Sequence, residues 1–312
     1  MTKNNLILRL SNGIGNQMFM YSAGYSFSKK LRRNFLIDDE SAFKIKKNIS
    51  FYCLNEFNLN CKIADKKKKY LGFNGYLKRK FIKIFDKFRT KKKFLVEYKN
   101  LNKISQYDKN LLSKKFNKDL FLEGHFETEK YFQSYRKQII NQFRFKYSKF
   151  YKNNKYYKLI KNSNSVSICI RQNRFSEKLT NNFYNDDDKS YKYSLEQIIY
   201  VKKAIKYFNK KIDNPKYFLW SNDYTNLENF FNPKYFVYIK NPSKQKIGSR
   251  QMLDLFLMTN AKHFVVIPST FNWWGAYLSE YKNKIVVRPD KNKFSDFKIS
   301  NNDFWPKNWK CL

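Results

Sequence analysis

Short apolar runs alternate along the chain with longer segments whose apolar residues recur at helical spacing. This alternation is typical of α/β layering, in which helices cover buried parallel strands. The predicted strands lie over 6–10, 35–38, 94–98, 120–124, 165–170, 216–220, 264–267 and 284–287. The predicted helices lie over 16–33, 127–143, 194–211, 250–260 and 271–281. A Ser194/Gln197 capping box is expected to open the third of these helices.

The pattern restarts after 146–164, a stretch rich in Lys, Asn, Ser and Tyr that has no periodicity. The sequence therefore predicts two α/β domains, over 1–150 and 160–312. Ligands of open α/β sheets bind beyond the carboxyl ends of the strands. Two such domains facing each other across a cleft would form a natural nucleotide site.

The 312 residues include 64 Lys and Arg against 25 Asp and Glu, a formal net charge of +39. Because 42% of the residues are apolar and 19% aromatic, a disordered basic tail is excluded. The charge suggests nucleic-acid binding, since basic surfaces release counterions from phosphate backbones. Only eleven of the basic residues are Arg, however, and a background of Lys and Asn follows from AT-rich coding without selection for charge. Nucleic-acid binding is kept as an alternative, and no specific nucleic-acid partner is expected.

The spacing of the cysteines and the lengths of the apolar runs predict the cellular compartment. Cys53, Cys61, Cys169 and Cys311 form no C-x-x-C pair, so neither a zinc site nor a disulfide framework is expected. A reducing cytoplasm is the predicted compartment. No apolar run approaches the ~20 residues of a membrane span. The first apolar stretch, 6–8, is too short for the core of a signal peptide.

Three segments at strand-to-helix junctions carry residues suited to binding phosphate. In the first, Gly13 and Gly15 let backbone N–H groups approach an anion at the start of a helix. This segment lacks the third glycine of a dinucleotide fingerprint and the Gly-Lys-Ser/Thr of a P-loop. The alternative is a tight turn that enters a helix.

The second and third segments place a cation and two hydroxyls at similar junctions. Arg171 follows the strand over 165–170, where a guanidinium can offer two parallel donors to a pyrophosphate or bond carbonyls at the strand end. Ser269 and Thr270 stand between a strand and a helix, where they can bind phosphate or simply cap the helix.

Taken in this order, the three segments resemble glycosyltransferase family 11, the bacterial and animal α-1,2-fucosyltransferases. The family's Gly-Gly-Leu-Gly-Asn-Gln-Met-Phe-Gln-Tyr is matched at 12–21, and its His-x-Arg-Arg-Gly-Asp falls on 169–174. Its Ser-Ser-Phe-Ser-Trp-Trp-Gly-Ala-Trp block is matched at 269–277. Subsidiary matches lie at 122–132, 220–223, 254–258 and 305–309. The resemblance therefore covers essentially the whole chain.

The resemblance implies a GT-B-like fold of two Rossmann-like domains, with an N-terminal acceptor side and a C-terminal GDP-sugar side. It implies GDP-β-L-fucose as co-substrate and inversion at the anomeric carbon, with no metal or other cofactor. The product would be an α-1,2-fucoside on the 2-OH of galactose in a surface glycan. The implied partners are the GDP-sugar and a galactose-containing oligosaccharide or lipid-linked glycan.

The resemblance also assigns residues. Arg171 matches the Arg that holds the donor's pyrophosphate, and Asn16 matches the Asn of the Gly-Asn-Gln loop near the donor. These two are the expected catalytic residues. The expected donor-binding residues are Gly13, Gly15, Gln17, Cys169, Asp223, Ser269 and Thr270.

Four positions depart from the family pattern. Cys169 replaces the His associated with the nucleoside. Gln172, Asn173 and Arg174 replace the second Arg, the Gly and the Asp. The alternatives are therefore a family relative with a different nucleotide sugar or linkage, and a degenerate, non-catalytic protein that binds glycans.

A general base for the acceptor hydroxyl should be a carboxylate or a His. Glu127, Asp38 and His125 are candidates by position, as is Glu123, and the sequence does not choose among them. The acidic run 186–188 could be a metal-binding Asp-x-Asp, but its Asn-rich surroundings favour a solvated loop.

The basic segment 76–93 has Leu77, Phe81, Ile84 and Phe88 at helical spacing, with Lys or Arg filling much of the rest. Such a helix can lie on an anionic membrane surface or pack against its own domain. Because surface polysaccharides are often built on lipid carriers, the first alternative predicts a peripheral location at the inner membrane.

Overall fold

The computed structural model describes residues 4–43, 51–97, 105–176, 186–290, 294 and 299–312. The chain forms two compact units, and each is built on one parallel sheet with helices. The first unit comprises Met1–Arg144 and Ile299–Phe304, and the second comprises Phe145–Lys298 and Trp305–Leu312. The α/β class predicted from the sequence is confirmed.

The first unit contains a five-stranded sheet. Its strands are β1 Asn5–Arg9, β2 Asn34–Asp38, β3 Lys62–Ile63, β4 Lys92–Val96 and β5 Phe116–Glu123. They pair in parallel in the order β3-β2-β1-β5-β4. The helices are α1 Ile14–Lys30, α2 Gly72–Asp86 and α3 Arg136–Gln142. Helix α1 approaches β2 so closely that a Cβ on Gly24 would lie 2.8 Å from the Phe35 ring, which would then have to shift.

The second unit contains a six-stranded sheet. Its strands are β6 Asn164–Ile170, β7 Pro215–Ser221, β8 Phe236–Tyr238, β9 His263–Val265, β10 Val286–Arg288 and β11 Lys310–Cys311. They pair in parallel in the order β11-β10-β9-β6-β7-β8. The helices are α4 Ser148–Tyr151, α5 Lys155–Lys161, α6 Asp187–Lys211, α7 Arg250–Thr259 and α8 Thr270–Leu278.

Helix α8 is a core element. Its adjacent Trp273 and Trp274 have no exposed surface, and the Trp273 ring lies 4.5 Å from that of Tyr277. A Cβ on Gly275 would collide with the side chain of Met258 on α7. The Trp pair therefore fixes the position of α8 through packing, and so fixes where the helix begins.

The structure differs from the prediction in two helices. The predicted helix over 127–143 is interrupted by two 3-10 turns, Glu129–Tyr131 and Gln133–Tyr135, before α3 begins. The predicted capping box at Ser194 is wrong, because α6 begins seven residues earlier, at Asp187. The Ser194 hydroxyl bonds the carbonyl of Ser190 one turn back, 3.0 Å away. The aperiodic stretch 146–164 contains α4 and α5.

The chain returns to the first unit near its end through helix α9, Asn301–Phe304. The Thr128 hydroxyl donates to the carbonyl of Asp303 at 2.6 Å, and the Lys130 ammonium lies 2.6 Å from the Asp303 carboxylate. The predicted range 160–312 did not assign this segment to the first unit. Within the described ranges, no helix is long and apolar enough to cross a membrane.

Candidate active site

A buried glutamine, Gln17, stabilises the loop after β1 by hydrogen bonds to backbone groups. Gln17 has no exposed surface, and its amide nitrogen donates to the carbonyls of Asn12 and Phe51, both at 2.7 Å. Its amide oxygen accepts from the backbone N–H of Cys53 at 2.9 Å. These bonds stabilise the left-handed backbone of Asn12 (φ 63°), a conformation that Asn tolerates better than most residues. Gln17 thus shapes the loop from inside the unit.

The same loop leaves the start of α1 open. Gly13 is the N-cap residue and provides no side-chain cap, and the first turn contains no acidic residue. A Cβ built on Gly13 would meet nothing within 4 Å, so its outer side is open. Gly15 is buried and Asn16 is half-buried on the first turn. The N–H groups at a helix start favour anions nearby.

The turn after β5 is fixed by a half-buried carboxylate. Glu97, which follows β4, accepts from the backbone N–H groups of His125 at 2.8 Å and Phe126 at 2.7 Å. Phe126 has a φ of 53°, and a Cβ on Gly124 would lie 2.5 Å from that of Glu97. Burial raises the pKa of Glu97, although both N–H bonds favour its charged form. This turn fixes the direction of the His125 side chain.

His125 lies between an amide and a carboxylate. Its Nε2 is 2.7 Å from the amide nitrogen of Asn12, and its Nδ1 is 3.4 Å from Oε1 of Glu127. The other oxygen of Glu127 accepts from the Ser105 hydroxyl at 3.0 Å. An amide N–H donated by Asn12 assigns Nε2 as the unprotonated nitrogen and places the proton on Nδ1, facing Glu127. The His125 side chain is 24% exposed, so solvent or a substrate can reach it.

Two further carboxylates at this edge of the sheet are held by structural partners. Asp38 is 2% exposed and accepts from the backbone N–H of Ser41 at 2.9 Å and from its hydroxyl at 2.5 Å. Glu123 binds Arg79 through two bonds, of 2.5 and 2.8 Å, and Lys83 at 2.8 Å. Burial disfavours the charged form of Glu123, but these ion pairs outweigh it and lower its pKa to about 2.

In the second unit, Arg171 directly follows the central strand β6. The Gln197 amide on α6 clamps its backbone: the N–H of Arg171 donates to Oε1 at 2.8 Å, and Nε2 donates back to the Arg171 carbonyl at 2.9 Å. The Arg171 side chain is half-buried. Two strand positions earlier, burial raises the pKa of the Cys169 thiol to about 12, so this thiol is neutral near pH 7.

Two of the positions that depart from the family pattern hold the loop after β6 against the loop after β7. The Gln172 amide donates to the carbonyls of Asp223 at 2.9 Å and Thr225 at 3.0 Å. The Asn173 amide donates to the Asp223 carboxylate at 2.9 Å. Asn173 has a φ of 55°, a conformation open to Gly and, next best, to Asn. A Gly-to-Asn exchange therefore keeps the local backbone possible.

The Asp223 carboxylate is bonded mainly to its own loop. It accepts from the backbone N–H of Thr225 at 2.9 Å and from the Thr225 hydroxyl at 2.7 Å. These bonds, the backbone one foremost, lower the pKa of Asp223. The carboxylate is therefore charged near pH 7 and orders the loop.

Helix α8 begins without a side-chain cap. Ser269 is its N-cap residue, yet the hydroxyl makes no capping bond, and the first turn has no acidic residue. The buried Asn272 steadies the approach by accepting the backbone N–H of Ile267 at 2.8 Å. Simple capping by Ser269, the alternative for this segment, is not what the structure has. Thr270 is the first residue of the helix and is half-buried.

The acidic run 186–188 has a different role. The Asp186 side chain caps α6 by accepting the backbone N–H of Lys189 at 2.8 Å, and Asp187 and Asp188 lie in the first turn. Carboxylates at a helix start interact favourably with the helix dipole. In the part of the chain that the structure describes, no three His, Cys, Asp or Glu residues form a group suited to a metal.

Sequence reasoning missed three residues of these constellations: Asn12, Glu97 and Gln197. Asn12 precedes a glycine, a pair typical of left-handed turns, and this signal was available. Gln197 was instead assigned to a capping box. Its contact with Arg171 spans 26 residues, and the contact of Glu97 with His125 spans 28, so local patterns could not find either.

Each unit therefore has polar side chains and a helix start without a side-chain cap at the carboxyl edge of a parallel sheet, the edge at which open α/β proteins bind their ligands. The chain belongs to glycosyl transferase family 11, whose sequence model matches residues 5–312. It is accordingly a glycosyltransferase, and the family predicted from the three segments is confirmed.

Two curated relatives come from Escherichia coli. The O-antigen biosynthesis glycosyltransferase WbnK is 28% identical over 299 residues, which cover 90% of this chain and 93% of the relative. An α-1,2-colitosyltransferase is 25% identical, with 97% of each chain covered. The similarity thus extends over nearly the full length of both relatives.

Solved structures share the fold at low sequence identity. NodZ α-1,6-fucosyltransferase, soaked with GDP-fucose, has a TM-score of 0.53 at 12% identity, covering 89% of this chain and 93% of that one. A mutant of Arabidopsis thaliana FUT1 in complex with GDP has a TM-score of 0.52 at 10% identity, covering 99% and 76%. The GT-B-like class with two Rossmann-like units is confirmed.

Proposed function

We propose that this glycosyltransferase moves L-fucose from GDP-β-L-fucose to the 2-OH of galactose in a surface-glycan acceptor, with inversion at the anomeric carbon. One observation carries the proposal. Arg171 follows β6, and the uncapped start of α8 at Ser269 follows the neighbouring strand β9. A cation and a helix start without a side-chain cap thus lie at the same edge of one sheet, an arrangement suited to a diphosphate.

The second unit is proposed to bind the GDP part of the donor. As the bond between fucose C1 and the phosphate oxygen breaks, its electron pair leaves with GDP and negative charge develops on the diphosphate. Arg171, the Ser269 and Thr270 hydroxyls and the first N–H groups of α8 would stabilise this charge. Because these groups are preorganised, the proposal requires no metal ion and no other cofactor.

Asp223 and Cys169 complete the proposed donor side. Asp223 carries a charged carboxylate within a loop that Gln172 and Asn173 hold in place. A carboxylate can accept N–H bonds from a base or hydroxyls from a ribose. The neutral Cys169 thiol adds no charge, so it would contribute shape only.

The first unit is proposed to contribute donors from the loop after β1. Gly13, Gly15 and Asn16 stand at the start of α1, whose N-cap residue provides no side-chain cap, and Asn16 would direct its amide to the sugar phosphate. For Gln17 we propose a positioning role rather than donor contact. Both atoms of its amide are bonded to backbone groups inside the unit.

We propose His125 as the general base, with Glu127 as the residue that orients it. The acceptor hydroxyl would replace the Asn12 amide at Nε2, transfer its proton to that nitrogen, and attack C1 from the face opposite GDP. Glu127 would stabilise the resulting imidazolium, the role that a carboxylate has beside a catalytic histidine in other enzymes. Asp38 has structural partners at both carboxylate oxygens, which makes it the weaker candidate.

A second candidate function is the transfer of another deoxysugar. It is favoured by the α-1,2-colitosyltransferase, which is 25% identical over nearly its full length. The departures at Cys169 and 172–174 lie in the segment that the resemblance assigns to the donor. Retention of Arg171 argues against the third alternative, a degenerate glycan-binding protein.

The acceptor is proposed to be a galactose-containing oligosaccharide or a lipid-linked glycan, since one relative is an O-antigen biosynthesis glycosyltransferase. Incubation with GDP-fucose and galactose-terminated oligosaccharides, followed by mass spectrometry and linkage analysis, tests the whole proposal. We expect one added fucose in α-1,2 linkage. Transfer from a colitose donor but not from GDP-fucose would support the second candidate, and no turnover of either donor would support the degenerate protein.

A further inference from the structure

Helix α2 exposes a continuous apolar face. Six large apolar side chains on the helix and just after it are 72%, 37%, 60%, 56%, 59% and 86% exposed: Phe73, Leu77, Phe81, Ile84, Phe85 and Phe88. At 3.6 residues per turn, these positions cluster within about 120° of the helix circumference. Scattered apolar side chains are normal on a protein surface, but six of them on one helix face mark an interaction site.

The opposite face of α2 is fixed to the first unit, so the direction of the apolar face is set by the fold. A Cβ on Gly75 would lie 2.5 Å from the backbone of Tyr70, in the turn that leads into the helix. Arg79 and Lys83 bind the Glu123 carboxylate. Ile82 packs against the small core that includes Tyr70. The helix therefore packs on its own unit without using its apolar face.

Basic residues border the apolar face. The segment 76–93 contains nine Lys and Arg and one acidic residue, Asp86. Asp86 is buried and accepts the backbone N–H groups of Lys93 at 2.8 Å and Phe94 at 2.9 Å, so it does not offset the surface charge. By helical geometry, Lys78 borders one side of the apolar face, and Lys80 and Lys87 border the other.

We infer that this face of α2, from Phe73 to Phe88, binds the surface of a bilayer that contains anionic phospholipid. Phenylalanine and leucine side chains on one helix face enter the boundary between headgroups and acyl chains, while flanking lysines bind lipid phosphates. Charge complementarity selects this partner, because an anionic headgroup layer matches lysines on both borders of an apolar strip. If this face of α2 stayed in water, its six apolar side chains would have no function.

Binding of lipid vesicles by the full-length protein tests the inference without any sugar nucleotide, so it is independent of the proposed reaction. We expect co-sedimentation with vesicles of phosphatidylcholine and phosphatidylglycerol, and weak co-sedimentation with phosphatidylcholine alone. The double variant Phe81→Ser with Phe88→Ser should weaken partition by about tenfold or more. The triple variant Lys78→Gln, Lys80→Gln, Lys87→Gln should weaken it by about a hundredfold at low salt.

Matched controls separate this site from the general charge of the chain. Lys203, Lys206 and Lys210 are exposed on α6, and Ile199 on the same helix is 62% exposed. Exchange of these three lysines for Gln, and separately of Ile199 for Ser, should leave partition into vesicles within about twofold of the wild type. An equal loss in the α6 variants would assign binding to net charge and overturn the inference.

Two further outcomes would also overturn it. One is the absence of binding to anionic vesicles at low salt. The other is a concentration-dependent dimer in analytical ultracentrifugation that the Phe81→Ser, Phe88→Ser variant abolishes, since this would make a second copy of the chain the partner of α2. The near-ultraviolet and far-ultraviolet circular dichroism of each variant should match the wild type, because the exchanged side chains are exposed.

Discussion

The amide nitrogen of Asn12 lies 2.7 Å from Nε2 of His125, although 113 residues separate them in the sequence. The contact exists because β1 and β5 are adjacent and parallel, so that the loops after both strands meet at one edge of the sheet. Two carboxylates also contact His125: Glu97 accepts its backbone N–H, and Glu127 lies beside its imidazole.

The exchange His125→Gln should lower kcat by about a hundredfold or more, because no base then accepts the acceptor proton. Glu127→Gln should lower kcat by about tenfold with little change in KM, since it loses orientation and keeps the base. A wild-type kcat in His125→Gln would contradict the assignment of the base.

The exchange Arg171→Ala should lower kcat/KM for donor by about a thousandfold, because the charge on the departing diphosphate loses its principal cation. Arg171→Lys should be intermediate, since an ammonium keeps the charge and loses the two parallel donors. Assays of GDP release and of fucoside formation measure kcat/KM for both variants. Arg174→Ala, at an exposed side chain three residues along, is the matched control. Near-normal turnover by Arg171→Ala would refute the donor site.

The left-handed backbone of Asn173 predicts an unusual order of substitutions. Asn173→Gly should be tolerated, because glycine adopts this conformation freely, whereas Asn173→Val should destabilise the protein by about 1–2 kcal/mol. Arg174→Val is the control, at a position that does not have a positive φ. Urea denaturation measures all three. If Asn173→Gly lowered the free energy of unfolding as much as Asn173→Val, the effect would be assigned to loss of the bond with Asp223 instead.

The pairing of Glu123 with Arg79 and Lys83 predicts an acid-dependent loss of stability. Its pKa is about 2 in the folded protein, below the usual 4.5, so its contribution is fully present above pH 4.5 and is lost as the pH falls toward 2. That contribution amounts to about 3 kcal/mol. The difference in unfolding free energy between wild type and Glu123→Gln should therefore be large at pH 6 and shrink toward pH 3. Glu228→Gln, at an exposed carboxylate, should show no such trend.

Treatment with EDTA should leave the transfer rate within about twofold of the untreated rate, because Arg171 and the start of α8 supply the positive charge that a metal would otherwise provide. Magnesium or manganese added afterwards should have no effect of comparable size. A large loss with EDTA that either metal restores would contradict the proposal of metal-independent transfer.

The sequence predicted the central strands well because they are short apolar runs with little alternative. The predicted strands over 6–10 and 165–170 differ by one residue from β1 and β6. The edge strands β3 and β11 were not predicted, since each has two residues and both are exposed. At such edges, pairing with a neighbour decides the conformation, and a local pattern carries no signal for it.

The site was predicted in part. The family motifs singled out Arg171, Ser269 and the loop after β1, and the structure places each of them after the carboxyl end of a strand. The relation between Asn12 and His125 could not be predicted, since it depends on the order of strands in the sheet. The contact of Thr128 with Asp303 was equally hidden, because 175 residues separate them in the sequence.

The return of α9 to the first unit sets an order of events during protein synthesis. Domains generally fold as the ribosome delivers them, with the N-terminal one first. Here the first unit lacks Asp303 and Phe304 until residues 145–298 of the second unit have been translated, so Thr128 and Lys130 cannot form their bonds with Asp303 before then. The segment that follows the His125 turn thus acquires this support late in synthesis. A chain released before Asp303 would lack the contact even though all five strands of the first sheet had already been made.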